Sequence, residues 1–139
     1  MRFFPFIVSA TILGGAVLPQ AMAQPSIPST TVAFAKGASS ASFNGKLQGK
    51  SVDARDYVVR ARAGQMMTVL MESKSTSAYF NVLPPNSDEA LFRGEVSGDK
   101  RWLGALPESG EYRVRVFLNR AAARQGRVAN YKLNISVVN

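Results

Sequence analysis

Two stretches near the C-terminal end alternate in side-chain character almost residue by residue. Over 112–118, Tyr112, Val114, Val116 and Leu118 alternate with Arg113, Arg115 and Phe117; over 131–137, Tyr131, Leu133, Ile135 and Val137 alternate with Lys132, Asn134 and Ser136. Successive side chains of a β-strand point to opposite faces, so this pattern sets one face against a core and the other toward solvent. A helix would scatter the same residues around its circumference. The chain is thereby committed to antiparallel sheet with one wet face.

The same period runs through most of the remaining chain. From Asp56 to Ala63, Tyr57, Val59 and Ala61 fall on one face and Arg60 and Arg62 on the other. Ala63-Gly64-Gln65 reads as a turn, Met67, Val69 and Met71 resume the inward face, and the two segments together predict a hairpin. A strand over 79–83 is stopped by Pro84-Pro85, and strands over 91–95 and 102–106 flank the turn Ser97-Gly98-Asp99-Lys100. Residues 32–35 and 41–48 supply one or two more. The prediction is all-β, an antiparallel β-sandwich of about eight short strands. Trp102, Met66, Met67 and Met71 are assigned to its interior. Only residues 119–128 depart from the pattern: Asn119 suits an N-cap, Arg-Ala-Ala-Ala-Arg forms helix readily, and Gly126 suits the position after the helix end. A short helical turn is predicted there.

Nothing but apolar packing is available to hold such a sandwich, because the 139-residue chain has no Cys. Arg2, an apolar run to Leu18 and Ala21-Met22-Ala23 read as a secretory signal peptide over 1–23. A flexible lead over 24–30 and one domain over 31–139 follow. The expected location is periplasmic or secreted, with no stable membrane insertion after signal cleavage. A formal net charge of +8 favours acidic partners, and export turns that preference away from nucleic acid.

Missing residue types exclude much chemistry. Without His or Cys there is no imidazole or thiolate metal site, and neither Ser-His-Asp nor Cys-His catalysis. The nine acids form no calcium loop or glycosidase pair, and no Gly-rich phosphate loop precedes a helix. The chain reads as a binder without a cofactor, not an enzyme. Asn134-Ile135-Ser136 fits a glycosylation sequon but lies inside a predicted strand.

Between Arg113 and Lys132 stand six basic residues and no acid. If 119–126 is helical, Arg120 and Arg124 share one face, where two guanidinium forks can grip carboxylates. The same residues also suit a solvated basic loop. Just upstream, Ser109-Gly110-Glu111-Tyr112 joins a turn to a strand; Tyr112 belongs inside by alternation, with its hydroxyl bonded to nearby backbone. Phe117 shares the outer face with Arg113 and Arg115.

These pieces together resemble the bacterial periplasmic inhibitors of g-type lysozyme. The resemblance rests on Leu106-Pro107-x-Ser109-Gly110-x-Tyr112-x-x-Arg115-Val116, then Arg120-x-x-Ala123-Arg124 and Tyr131, with weaker matches at 32–41 and 57–65. It implies a β-sandwich that blocks a lysozyme's acidic active cleft. Ser109, Tyr112, Arg120 and Arg124 would form the contact surface, with Arg115 supporting it. The chain differs from the family pattern at Ala121, where Asn is frequent, and at 50–56, which lacks tyrosine. The Ser-Gly-x-Tyr portion also looks like the sandwich at the C-termini of secreted peptidases, which leaves an envelope glycan-binding module as the alternative.

Overall fold

The computed structural model describes residues 14–15 and 26–139. The segment read as a signal peptide lies outside them except for Gly14 and Gly15. Among the described residues, nine strands and two single-turn helices follow in the order β1 (Ser29–Thr31), β2 (Ser40–Gln48), β3 (Ala54–Ala61), β4 (Met66–Glu72), β5 (Ala78–Leu83), β6 (Phe92–Arg93), α1 (Gly94–Ser97), β7 (Arg101–Ala105), β8 (Gly110–Leu118), α2 (Arg120–Arg124) and β9 (Val128–Val138). One sheet has the order β1-β3-β8-β5-β6 and the other β2-β9-β4-β7. Every pairing is antiparallel except β1 with β3.

The alternation is expressed as burial. Tyr112, Val114 and Val116 are fully buried and Leu118 nearly so, as are Tyr131, Leu133, Ile135 and, at the margin, Val137. Tyr57, Val59, Phe80 and Val82 join them from the first sheet, and Leu47, Met67, Val69 and Met71 from the second. Each fully buried aliphatic side chain contributes about 1.5–3 kcal/mol. With no disulfide available, this packing is what opposes the chain entropy.

Strand faces follow the sequence; strand partners do not. The predicted hairpin of 57–71 is absent, because β3 pairs with β8 and β4 pairs with β9 and β7. The segment Ala63-Gly64-Gln65 is a corner that carries the chain from one sheet to the other, pinned by hydrogen bonds between Gly64 N–H and Leu106 O and between Leu106 N–H and Gln65 O, both 2.8 Å. Inward faces that meet across a sandwich show the same period as faces paired in one sheet, so the pattern cannot tell the two apart. The 91–95 segment is likewise only the two-residue β6 before Gly94 and Glu95 enter α1, and β7 lies in the opposite sheet.

Smaller differences have simple causes. Residues 32–35 form no strand, and the lead ends in β1 at Ser29, inside the segment read as flexible. Met67 and Met71 line the interior, whereas Met66, one residue out of phase, lies half-buried on the opposite face of β4. Trp102 is half-buried at the core margin and stacks on Phe92 at 6.3 Å.

Candidate functional site

The loop between β8 and β9 is a built element. Asn119 has an extended backbone, and its side-chain oxygen accepts a 2.9 Å hydrogen bond from Ala122 N–H, which is N-cap geometry. At the other end Gly126 takes a left-handed φ of 69°. There Gly126 N–H donates to Ala123 O and Arg127 N–H donates to Ala122 O, both 3.1 Å. This is the Schellman closure, which a residue free of a Cβ adopts without strain. Five residues of helix are thereby stopped cleanly at both ends.

Neighbouring segments hold the loop from outside. Asn119 N–H donates to Ser77 O, Leu118 N–H to Asp53 O and Gly49 N–H to Arg127 O, each at 2.9 Å. Gly49 lies so close to the Ala123 backbone that a Cβ there would overlap Ala123 O. The stem of Lys50 runs 3.3 Å from where a Cβ on Gly126 would stand. The β2–β3 turn and α2 therefore form one ridge, and Ala122 plugs into the core beneath it.

Arg120, Arg124 and Lys50 are exposed around a shallow cleft of about 640 Å3, whose lining also includes Asp53, Glu95 and Phe117. Arg120 and Arg124 stand one helical turn apart. Among the described residues three ion pairs form, Arg60–Glu111, Arg113–Asp88 and Arg115–Asp56, so none engages Arg120, Arg124 or Lys50. Like charges at this spacing cost a few tenths of a kcal/mol. The ridge thus offers two guanidinium forks that the fold itself does not use.

The remaining sequence-derived positions lie elsewhere. Ser109 sits before β8 and Arg120 after it, and the intervening nine-residue strand spans roughly 26 Å. Ser109 Oγ accepts a 2.9 Å hydrogen bond from Ala63 N–H, closing the far corner of the sandwich. Tyr112 has no exposed surface; its hydroxyl donates to Glu108 O at 2.6 Å and accepts from Glu108 N–H at 3.1 Å. From inside the sandwich it holds the turn that carries Ser109. Arg115 is bound bidentately to Asp56, with Nε–Oδ1 at 2.7 Å and Nη2–Oδ2 at 3.0 Å. The hydrogen bond to Asp56, working against burial, holds the Arg115 guanidinium proton more firmly than usual. Of the five positions, only Arg120 and Arg124 come together with free charge.

Sequence reasoning missed Gly49, Lys50, Asp53 and Glu95 at this cleft. Gly49 and Lys50 precede Arg120 by about seventy positions, and no local pattern signals that approach. A larger groove of about 1050 Å3 runs between β9 and the β4–β5 turn. Two of its hydroxyls are engaged by the backbone: Ser73 Oγ donates to Asn130 O at 2.6 Å, and Ser75 Oγ accepts from Ser77 N–H at 3.1 Å. Arg127 on its wall is bonded to Gln125 at 2.7 Å.

No family model matches the chain. An inhibitor of g-type lysozyme from Escherichia coli K12 is 31% identical over 108 residues, covering 76% of this chain and 78% of the relative. The crystal structure of the periplasmic inhibitor of g-type lysozyme from Aeromonas hydrophila superposes with a TM-score of 0.72 at 39% identity, covering 80% of this chain and 96% of that one. The pre-peptidase C-terminal domain of a Bacillus anthracis collagenase shares the fold at a TM-score of 0.57 and 11% identity, covering 81% of this chain and 99% of that domain.

Proposed function

The chain belongs to the family of g-type lysozyme inhibitors, and from that premise we propose that it blocks a lysozyme's active cleft with the arginine-bearing ridge of α2. It is a periplasmic protein like its structural relatives, and a binder, not an enzyme. The observation that carries the reading is the pair Arg120 and Arg124, exposed and without an ion pair on a loop capped at both ends.

The chemistry follows from what a lysozyme must contain. Glycoside hydrolysis places carboxyl groups on either side of the scissile bond, in a cleft that accepts a sugar chain. A planar guanidinium meets a carboxylate through two parallel hydrogen bonds and, unlike an ammonium, is pre-shaped for that contact. An arginine inserted there satisfies the acid and occupies the space of the substrate. Lys50 adds a third positive charge to the ridge, and the basic protein as a whole speeds encounter with an acidic cleft. Arg115, already bonded to Asp56, serves as a rigid support beneath the outer face and leaves the contact to α2.

Inhibition of a g-type lysozyme by the purified protein, compared with its R120A/R124A variant, tests the proposal. The wild type inhibits, and the variant loses at least about tenfold in affinity, or 1.4 kcal/mol. Equal inhibition by the two proteins removes the arginines from the mechanism. Absence of inhibition by either, with retention on insoluble peptidoglycan, points to a glycan-binding module instead.

A further inference from the structure

We propose that Phe117 and Tyr79 form an aromatic shelf on which the lysozyme engaged by Arg120 and Arg124 rests, extending the contact from α2 onto the outer face of the β1-β3-β8-β5-β6 sheet. This inference rests on the proposed function and adds residues that the function did not use.

Alternation sends Phe117 to the same side of β8 as Arg113 and Arg115, where a third polar residue would be ordinary. The ladder places Phe117 opposite Tyr79 of β5 on one flank and opposite Ala54 of β3 on the other. The two rings lie 6.1 Å apart and tilted by 36°, within the range at which aromatic pairs attract each other beyond their burial. Both side chains are half-buried, so each ring keeps surface open to solvent. Tyr79 is fixed further by its hydroxyl, which donates to Thr76 O at 3.0 Å.

Position selects the occupant. Phe117 lines the same cleft as Arg120, Arg124 and Lys50, so whatever seats on the guanidinium pair also meets the ring. The next row of the sheet is polar, with Asp56, Arg115, Asn81 and Arg93 in successive strands. An aromatic centre beside arginines, bounded by a charged rim, has the composition of a protein–protein hot spot. Rings held in place before contact lose little freedom on binding, which favours affinity.

The test uses the whole protein with a g-type lysozyme. Tyr79→Ser and Phe117→Ser each raise the inhibition constant about tenfold or more, chiefly through faster dissociation, while circular dichroism confirms the fold. Oxidative footprinting of the wild type needs no variant: Phe117 and Tyr79 are labelled in the free protein and protected in the complex. Unchanged inhibition constants in folded variants, or unchanged labelling in the complex, overturn the shelf; loss of inhibition in R120A/R124A would still stand for the ridge alone. Protection that grows with concentration of the free protein assigns the shelf to a second copy and overturns it as well, as does protection by soluble peptidoglycan fragments. If the wild type fails to inhibit, the shelf and the proposed function fall together.

Discussion

The carboxylate of Asp56 and the guanidinium of Arg115 face each other from paired positions on β3 and β8 and share two hydrogen bonds, of 2.7 and 3.0 Å. Asp56 is the one buried charged residue among those described, at 6% exposure. Removing one partner of such a pair strands the other, at a cost that reaches 3–5 kcal/mol for fully buried pairs. Arg115 retains some solvent, so Asp56→Ala is expected to lose about 2 kcal/mol of unfolding free energy in urea titration. Asp56→Ala with Arg115→Met, which removes both charges, loses less. Inhibition below the melting temperature stays within about twofold of wild type if Arg115 supports the sheet without touching the partner.

Tyr112 separates a structural role from a binding role. Tyr112→Phe removes the hydroxyl that both donates to and accepts from the Glu108 backbone. The expected cost is about 1–2 kcal/mol, read as a lower Tm. The inhibition constant is expected to stay unchanged, because the residue is fully buried and lies toward the Ser109 end of β8. Ser109→Ala tests the same end and is likewise expected to leave inhibition intact. A large loss of inhibition in either folded variant would move the contact surface to that corner.

Gly49→Ala forces a methyl group into the Ala123 backbone. Either the β2–β3 turn or α2 must shift, and overpacking of this kind costs about 1–3 kcal/mol. Both Tm and inhibition are expected to fall, since α2 carries Arg120 and Arg124. Asn119→Ala, which removes only the N-cap bond, costs about 1 kcal/mol and weakens inhibition less than Gly49→Ala.

The buried hydroxyls of Tyr57 and Tyr131 lie 2.6 Å apart. Burial, and then the hydrogen bond to Tyr57, push the Tyr131 hydroxyl well above the ordinary tyrosine range. The unfolded chain ionises this residue near pH 10, while the folded chain keeps its proton. Folded protein therefore binds more protons above that pH, and stability falls as pH rises, by up to about 1.4 kcal/mol per unit from this group. Below about pH 10 its contribution is fully present. Urea midpoints between about pH 9 and pH 11 are expected to decline more steeply for the wild type than for Tyr131→Phe. Parallel slopes would show that the buried hydroxyl does not titrate on unfolding.

Alternation by itself determined which way the side chains of β8 and β9 face, and local chemistry determined that Asn119 and Gly126 bracket a turn of helix. Both signals sit within a few residues, because side-chain direction and helix capping are set by the backbone next to them. Tertiary structure alone decided that β3 and β4 belong to different sheets, that Gly49 and Lys50 come to lie against α2, and that Ser109 stands at the far end of β8 from Arg120. Strand pairing joins segments tens of residues apart, and a period of two is the same whichever strand lies alongside. The two arginines could be named from the sequence; that no ion pair among the described residues engages them, on a ridge braced by the β2–β3 turn, required the fold.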